Sequence, residues 1–326
     1  MATAAQPAGG GRPLTRLLIT GGAGFVGSNL ARAALRSDAI TSVRVLDDFS
    51  TGSRRNLAGV DVDLVEGSLL DPDALESAVR GVDAVVHLAA IPSVPRSIAN
   101  PVASHAANAT GTLLLLEACR EHGVSYVAAA SSSSVYGANP ALPKHEREWV
   151  RPLSPYAVSK LATEQYLLAY QSSFGLQTLP FRFFNVYGPG QAAGHAYAAV
   201  IPAFVDALLA GRPLTVNGTG EQSRDFTYVG TVCDILLDAV ARRTVSTEPV
   251  NLAFGSRTTL LELIGLIEEL TGRAATVTHG PPRAGDVPHS QADNTVLQGL
   301  FPGVLPTELR VGLEQTVSWF RTGLTR

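Results

Sequence analysis

Short apolar and β-branched runs recur through the first 185 or so positions: "RLLIT" from 16, "VRVLD" from 43, "VDLVEG" from 62, "AVVHLAA" from 84, "YVAAASS" from 126 and "LPFRFFN" from 179. Helical stretches separate them, an alternation that predicts βαβ units and a parallel sheet covered on both faces. After "NVYGPG" at 185–190 the spacing turns irregular, through "PLTVNGTGEQSRDFTYV" and the Pro/Gly-rich "HGPPRAGDVP". The expected architecture is α/β: a doubly wound domain over residues 16–186, and a smaller C-terminal lobe over 187–224 and 256–322 that closes on a ligand. Segments from about 225–255 are expected to return to the main sheet, and residues 1–15 read as a flexible tail.

Composition narrows the function classes. Of 326 residues, 45 % are hydrophobic and 16 % charged, which fits a globular α/β enzyme. A formal charge of -3 and a pI near 6.2 leave no basic excess for phosphate backbones, so no nucleic-acid partner is expected. No apolar run reaches the roughly 18 residues of a membrane span. The only cysteines, Cys119 and Cys233, stand in helical, partly apolar stretches without CxxC spacing or a histidine cluster. They are expected to be reduced core thiols rather than metal ligands, which suits a cytoplasmic protein.

The first chemical signal is "LLITGGAGFVGSNLARAAL", which runs from a strand into a helix through Gly21, Gly24 and Gly27. Glycine permits the tight turn, the approach of backbone to a pyrophosphate and close helix packing, while the helix N-terminus offers N–H groups to the phosphates. Asp47 ends the next run, placed to accept hydrogen bonds from an adenosine ribose. The pattern is that of a Rossmann-type dinucleotide site. Asp47 and Asp48 disfavour a 2'-phosphate, which points to NAD; Arg54 and Arg55 follow, read as solvated loop residues rather than a phosphate clamp.

The second signal is "SPYAVSK" at 154–160. Ser154 suits a helix cap and Pro155 its first turn, so Tyr156 and Lys160 share one helical face. A phenol near pKa 10 is a poor base, but an adjacent ammonium and an oxidised nicotinamide favour the phenolate. Lys160 can also hold the nicotinamide ribose. "SSSSVYG" at 131–137 ends a strand on the same carboxyl edge, where open parallel sheets bind ligands.

With these residues the chain resembles the extended short-chain dehydrogenase/reductase family, and within it the nucleotide-sugar 4-epimerases. The matching pieces, in order, are "TGGAGFVG", "LDDFSTG", "HLAA", "NATGT", "SSSSVYG", "SPYAVSK", "FRFFNVYGPGQ", "SRDFTYV" and "RAGDVPHSQAD". The resemblance implies a catalytic set of Ser132, Tyr156 and Lys160. It implies cofactor contacts from Gly21, Gly24, Phe25, Val26, Gly27, Asp47, Asp48, Ser50, Thr51, Gly52, Ser68, Leu69, Leu88, Ala89, Ala90, Asn108, Tyr156, Lys160 and Phe183. Substrate contacts are implied from Ser93, Ser132, Ser133, Tyr156, Asn185, Val200, Asn217, Arg224, Arg283, Asp286 and Ser290, with Asn185, Arg224 and Arg283 toward a diphosphate. Ser68 replaces a usual Asp near the adenine, and Gly230 and Thr231 replace a usual acidic residue. The family pairs subunits through helices near 108–121 and 156–173, so a homodimer is expected. Leu113, Leu116, Leu161 and Leu168 fit either that interface or ordinary core packing.

Related sugar 4,6-dehydratases carry an Asp-Glu pair where this chain has Ser133 and Ser134, and related decarboxylases usually keep a Glu at the second position. A hydroxyl cannot replace that carboxylate near neutral pH. The expected activity is therefore NAD-dependent UDP-sugar 4-epimerisation through a 4-keto sugar. "SVPRSI", "AYAAVIP" and Ser290 resemble the branch handling UDP-N-acetylhexosamines. The expected substrates are UDP-GlcNAc/UDP-GalNAc and/or UDP-glucose/UDP-galactose; a UDP-glucuronate epimerase, a dehydratase and a non-catalytic NAD-binding regulator stay as alternatives.

Overall fold

The computed structural model describes residues 15–193, 198–281 and 288–324. Six of the predicted runs form β1 (Thr15–Thr20), β2 (Ile40–Asp47), β3 (Asp63–Glu66), β4 (Ala84–His87), β5 (Tyr126–Ser132) and β6 (Gln177–Phe183). The strand Val250–Leu252 joins as a seventh, in parallel with β6. From that strand inward the sheet order is β6, β5, β4, β1, β2, β3, all parallel.

Burial explains why these strands read as continuous apolar runs. Leu17 and Ile19 of β1 pack into one core with Val45, Val86 and Phe181, while Leu18 packs into a second core on the other face with Leu46, Val85 and Val127. Each such side chain contributes roughly 1.5–3 kcal/mol on burial. Two cores leave the central strands no solvated face, so polar alternation is absent there, while the edge strand β3 is mostly exposed.

The irregular C-terminal spacing also has a cause. Its strands are short two-stranded ribbons: Asn185–Tyr187 with Phe226–Tyr228, Leu214–Asn217 with Val277–Gly280, and Ser223–Arg224 with Thr258–Thr259. Two to four residues are too few to print a period. Of the expected return segment only Val250–Leu252 enters the main sheet; the helix Val229–Arg242 instead packs on the helix Phe25–Ala34 that follows the glycine turn.

Leu116 is wholly buried inside the chain, and Leu113 and Leu161 pack against core residues, so core packing accounts for these three. The large apolar side chains that do reach solvent on those two helices are Leu114, Val158 and Phe174. Cys119 and Cys233 are unpaired and buried in helices, and burial pushes each thiol up to about 12. The native protein should therefore show no thiol reactive toward an aromatic disulfide at pH 8, and both should react once guanidinium unfolds it; fast labelling of the native chain would contradict this burial.

Candidate active site

The winding of the sheet reverses between β1 and β4: the chain leaves β1 toward β2 and β3, then crosses back to β4, β5 and β6. Carboxyl ends at such a switch point open a crevice. Gly21 stands there at φ 71°, and a Cβ on it would lie 2.7 Å from the Ala89 nitrogen after β4. A Cβ on Gly27 would sit 2.3 Å from the Gly21 oxygen. Both positions are thus closed to larger residues by backbone. Gly24 precedes the helix Phe25–Ala34 without a side-chain cap, so the first-turn N–H groups, including those of Phe25 and Val26, are offered outward.

Asp47 ends β2 and is 7 % exposed; its carboxylate accepts the Ala23 N–H and the Phe49 N–H, both at 2.8 Å. Burial lifts its pKa, and those two bonds oppose the lift. Asp48 accepts from Ser50 in the same loop, where Thr51 is exposed and Gly52 lies so close to Ala23 that a Cβ would meet its carbonyl carbon at 2.8 Å. Arg54 pairs with Glu66 and stacks 4.3 Å over the Phe49 ring. A paired arginine fits the loop role better than a phosphate clamp. Ser68 and Leu69 follow β3, Leu88, Ala89 and Ala90 follow β4, and Phe183 ends β6. The expected cofactor residues thus lie along one edge, and a glycine cradle beside a ribose-ready carboxylate fits a dinucleotide.

Next along that edge come the chemical groups. Ser154 caps the helix Pro155–Phe174 by accepting the Ala157 N–H at 3.2 Å, with Pro155 in the first turn. Lys160 on that helix is 4 % exposed and donates from Nζ to the Ala130 carbonyl at 2.6 Å. Burial pulls its pKa down to about 8. Burial also lifts the Tyr156 phenol, and the Ser132 hydroxyl at the end of β5 acts on it in the opposite direction. Low polarity penalises phenolate and ammonium singly, and each ion relieves the other's penalty. Asn108 joins this helix to the loop after β4, donating to Ser159 Oγ at 2.9 Å and accepting from the Ile91 N–H at 2.8 Å.

A cleft of ≈ 260 Å³ opens past the end of β6, lined in part by Asn185, Val200, Asn217, Arg224, Tyr187 and Phe226. Four of the expected substrate residues therefore share one cavity. Asn185 donates to the Asp225 carbonyl at 3.1 Å, and Arg224 donates to the carbonyls of Ser223 and Pro288. Ser93 instead caps the short helix Val94–Ala99, and Ser133 opens the turn Ser133–Tyr136 after β5. Ser290 does not line the cavity; it is 8 % exposed and hydrogen-bonds through its backbone to Ser223, next to Arg224. Arg283 and Asp286 lie outside the described residues.

Three supporting groups escaped sequence reasoning. His87 contacts Thr20 at 2.7 Å and Thr112 at 3.0 Å, and burial holds it neutral, with its pKa lowered to about 3. Asp225, fully buried, accepts from Gly255, Ser256 and Ala292 and so anchors two loops of the C-terminal part. Glu164 and Arg182 form a buried bidentate pair behind Ser131. The signals were a histidine inside "AVVHLAA", an acid inside "SRDFTYV", and a glutamate one helical turn beyond Lys160. Thr231, where an acid was expected, bonds Thr307 through its hydroxyl at 3.0 Å.

A doubly wound parallel fold, a glycine cradle and a Ser/Tyr/Lys group on one edge define a nucleotide-cofactor enzyme of the short-chain dehydrogenase/reductase class. The model of the NAD dependent epimerase/dehydratase family matches residues 17–253, and the chain belongs to that family. It is 36 % identical to a UDP-glucose 4-epimerase of Mycolicibacterium smegmatis over 312 residues, covering 94 % of this chain and 98 % of that one. Among solved structures it resembles the UDP-N-acetylglucosamine 4-epimerase of Methanobrevibacter ruminantium in complex with UDP-N-acetylmuramic acid, with a TM-score of 0.89, 35 % identity, and 95 % and 99 % of the two chains covered. It also resembles the UDP-glucose 4-epimerase of Thermus thermophilus in complex with NAD, with a TM-score of 0.85, 36 % identity, and 94 % and 99 % covered.

Proposed function

We propose that this protein is an NAD-dependent UDP-sugar 4-epimerase. The observation that carries the reading is the grouping of Ser132, Tyr156 and Lys160 on one sheet edge with serines, not carboxylates, at 133 and 134. Among the described residues at the end of β5 one proton-transfer pair is present and no second acid for expelling water.

An NAD held at the Gly21, Gly24 and Gly27 turn and by Asp47 would supply a reversible hydride acceptor for the sugar C4. The chain's own residues do the rest. Tyr156 accepts the 4-hydroxyl proton as that C–H bond breaks, leaving a 4-keto sugar, and gives the proton back when the sugar has presented its other face. Lys160 steadies the phenolate with its charge; Ser132 orients the sugar oxygen. The cleft lined by Asn185, Asn217 and Arg224 holds the diphosphate end, so the hexose alone has to turn. A homodimer follows the family, and exposed Ile98, Val102, Leu114 and Val158 are suitable apolar surface for it.

The test is to incubate the purified protein with UDP-glucose, UDP-N-acetylglucosamine and UDP-glucuronate and read C4 configuration by NMR. Inversion with no net NADH supports the proposal; steady NADH or a product short of one oxygen would overturn it. The likeness of "SVPRSI" and "AYAAVIP" to the UDP-N-acetylhexosamine branch favours those sugars among the candidates. Ser290, outside the cavity lining but bonded through its backbone to Ser223 beside Arg224, is the position that tests whether room there matters. A Ser290→Tyr variant should lose about tenfold or more in kcat/KM on UDP-N-acetylglucosamine while keeping UDP-glucose turnover, the scale of a 1–3 kcal/mol overpacking cost. Unchanged turnover of the larger sugar would remove Ser290 from the argument.

A further inference from the structure

We propose that Ser134 is a positioning residue that makes Ser132 a hydrogen-bond donor and nothing else. The inference rests on the epimerase reading for its kinetic arm only. A serine hydroxyl carries one proton and two acceptor lone pairs. At Ser132 both lone pairs are occupied from the same neighbour: the Ser134 backbone N–H reaches Ser132 Oγ at 3.2 Å, and the Ser134 hydroxyl donates to it at 2.9 Å. The backbone enforces this, because Ser132 is extended at φ -151° and ψ 145° and caps the turn Ser133–Tyr136 that brings Ser134 back over it. What remains of the Ser132 hydroxyl is its proton.

That proton has one useful direction. Donated toward the Tyr156 oxygen or the sugar oxygen between them, it stabilises negative charge there, in keeping with the downward pull of Ser132 on the phenol. Without the Ser134 hydroxyl, Ser132 would have a free lone pair and could turn to accept from a neutral phenol or a sugar hydroxyl, which favours the wrong protonation state. Of the other ionisable groups packed around β5, His87 stays neutral and Glu164 is tied to Arg182; the Lys160 charge on the next turn of the Tyr156 helix favours the phenolate too, but it does not set which way the Ser132 hydroxyl points.

Two measurements on the full-length protein test this. In epimerisation assays, Ser134→Ala should lower kcat about tenfold with KM changed less than about twofold, and move the acidic limb of kcat/KM upward by about half a pH unit, the scale of one net hydrogen bond. Ser134→Thr, which keeps the hydroxyl, should restore both. In protein carrying 13C-tyrosine, with Tyr156 assigned by Tyr156→Phe, Ser134→Ala should raise the Tyr156 phenol pKa relative to wild type and Ser134→Thr should not. The titration needs no substrate, so it decides the proposal even if no UDP-sugar is turned over. An unmoved phenol pKa overturns it, as does a rise in KM with kcat and the pH limb unchanged, which would make Ser134 a direct substrate contact.

Discussion

Tyr156→Phe is expected to lower kcat for C4 inversion by about 10³, within the 10²–10⁴ that positioned proton transfer contributes. The substitution deletes one oxygen from a ring whose surroundings otherwise stay as they are, so KM should change little and the fold should persist. The size of the effect follows from the site's electrostatics. Burial lifts the phenol, so the phenolate is disfavoured alone, while the Lys160 ammonium, pulled down to about 8, still carries its charge near neutral pH. The enzyme has to create the phenolate beside that charge, and no other described side chain at the end of β5 accepts a proton; Ser132, Ser133 and Ser134 are hydroxyls. Quench-and-NMR measurement of product at fixed times checks this. Residual turnover within tenfold of wild type would mean that Tyr156 is not the base.

How much of this was legible beforehand depends on the range of the physics involved. The central strands were readable because burial on both faces forces an apolar run, visible within four to eight residues, whereas the exposed edge strand β3 showed only as a Leu-Val pair between acids. The Gly21, Gly24, Gly27 turn and the Ser154-to-Lys160 start of a helix are likewise local patterns, legible from their own residue types and spacing. His87 and Asp225 were not readable. Their partners lie 67 residues away at Thr20 and Ala292, and no local spacing announces such a contact. The degree of desolvation was equally hidden: "SPYAVSK" announces a lysine beside a tyrosine, but not that the ammonium has carbonyl contact and little water. Ser290 is the opposite case, singled out by motif position yet placed outside the cavity lining, because a residue's backbone register beside Ser223 is set by the ribbon it joins.

The pair behind the site has the largest expected effect on stability. Arg182 donates to Glu164 from Nε at 3.0 Å and from Nη2 at 2.7 Å, with the two side chains 4 % and 0 % exposed. The guanidinium also donates to the Glu146 carbonyl at 3.0 Å and lies 4.7 Å from the centre of the Tyr136 ring, and Ser131 donates to Glu164 at 3.0 Å. Removing one member strands a buried charge, so Arg182→Met should cost about 3–5 kcal/mol of unfolding free energy. Removing both restores neutrality: Arg182→Met with Glu164→Met should recover most of that loss, because two apolar side chains of similar length need no desolvated ions. Denaturant titration of the wild type, both single variants and the double variant closes the cycle. Additive losses would show that the two charges do not compensate each other. The activity of the double variant then separates two roles, since Ser131 also bonds the Lys160 carbonyl at 3.2 Å. A stable double variant with lowered kcat would place the ion pair in the support of the Lys160 turn, whereas full activity would confine it to stability.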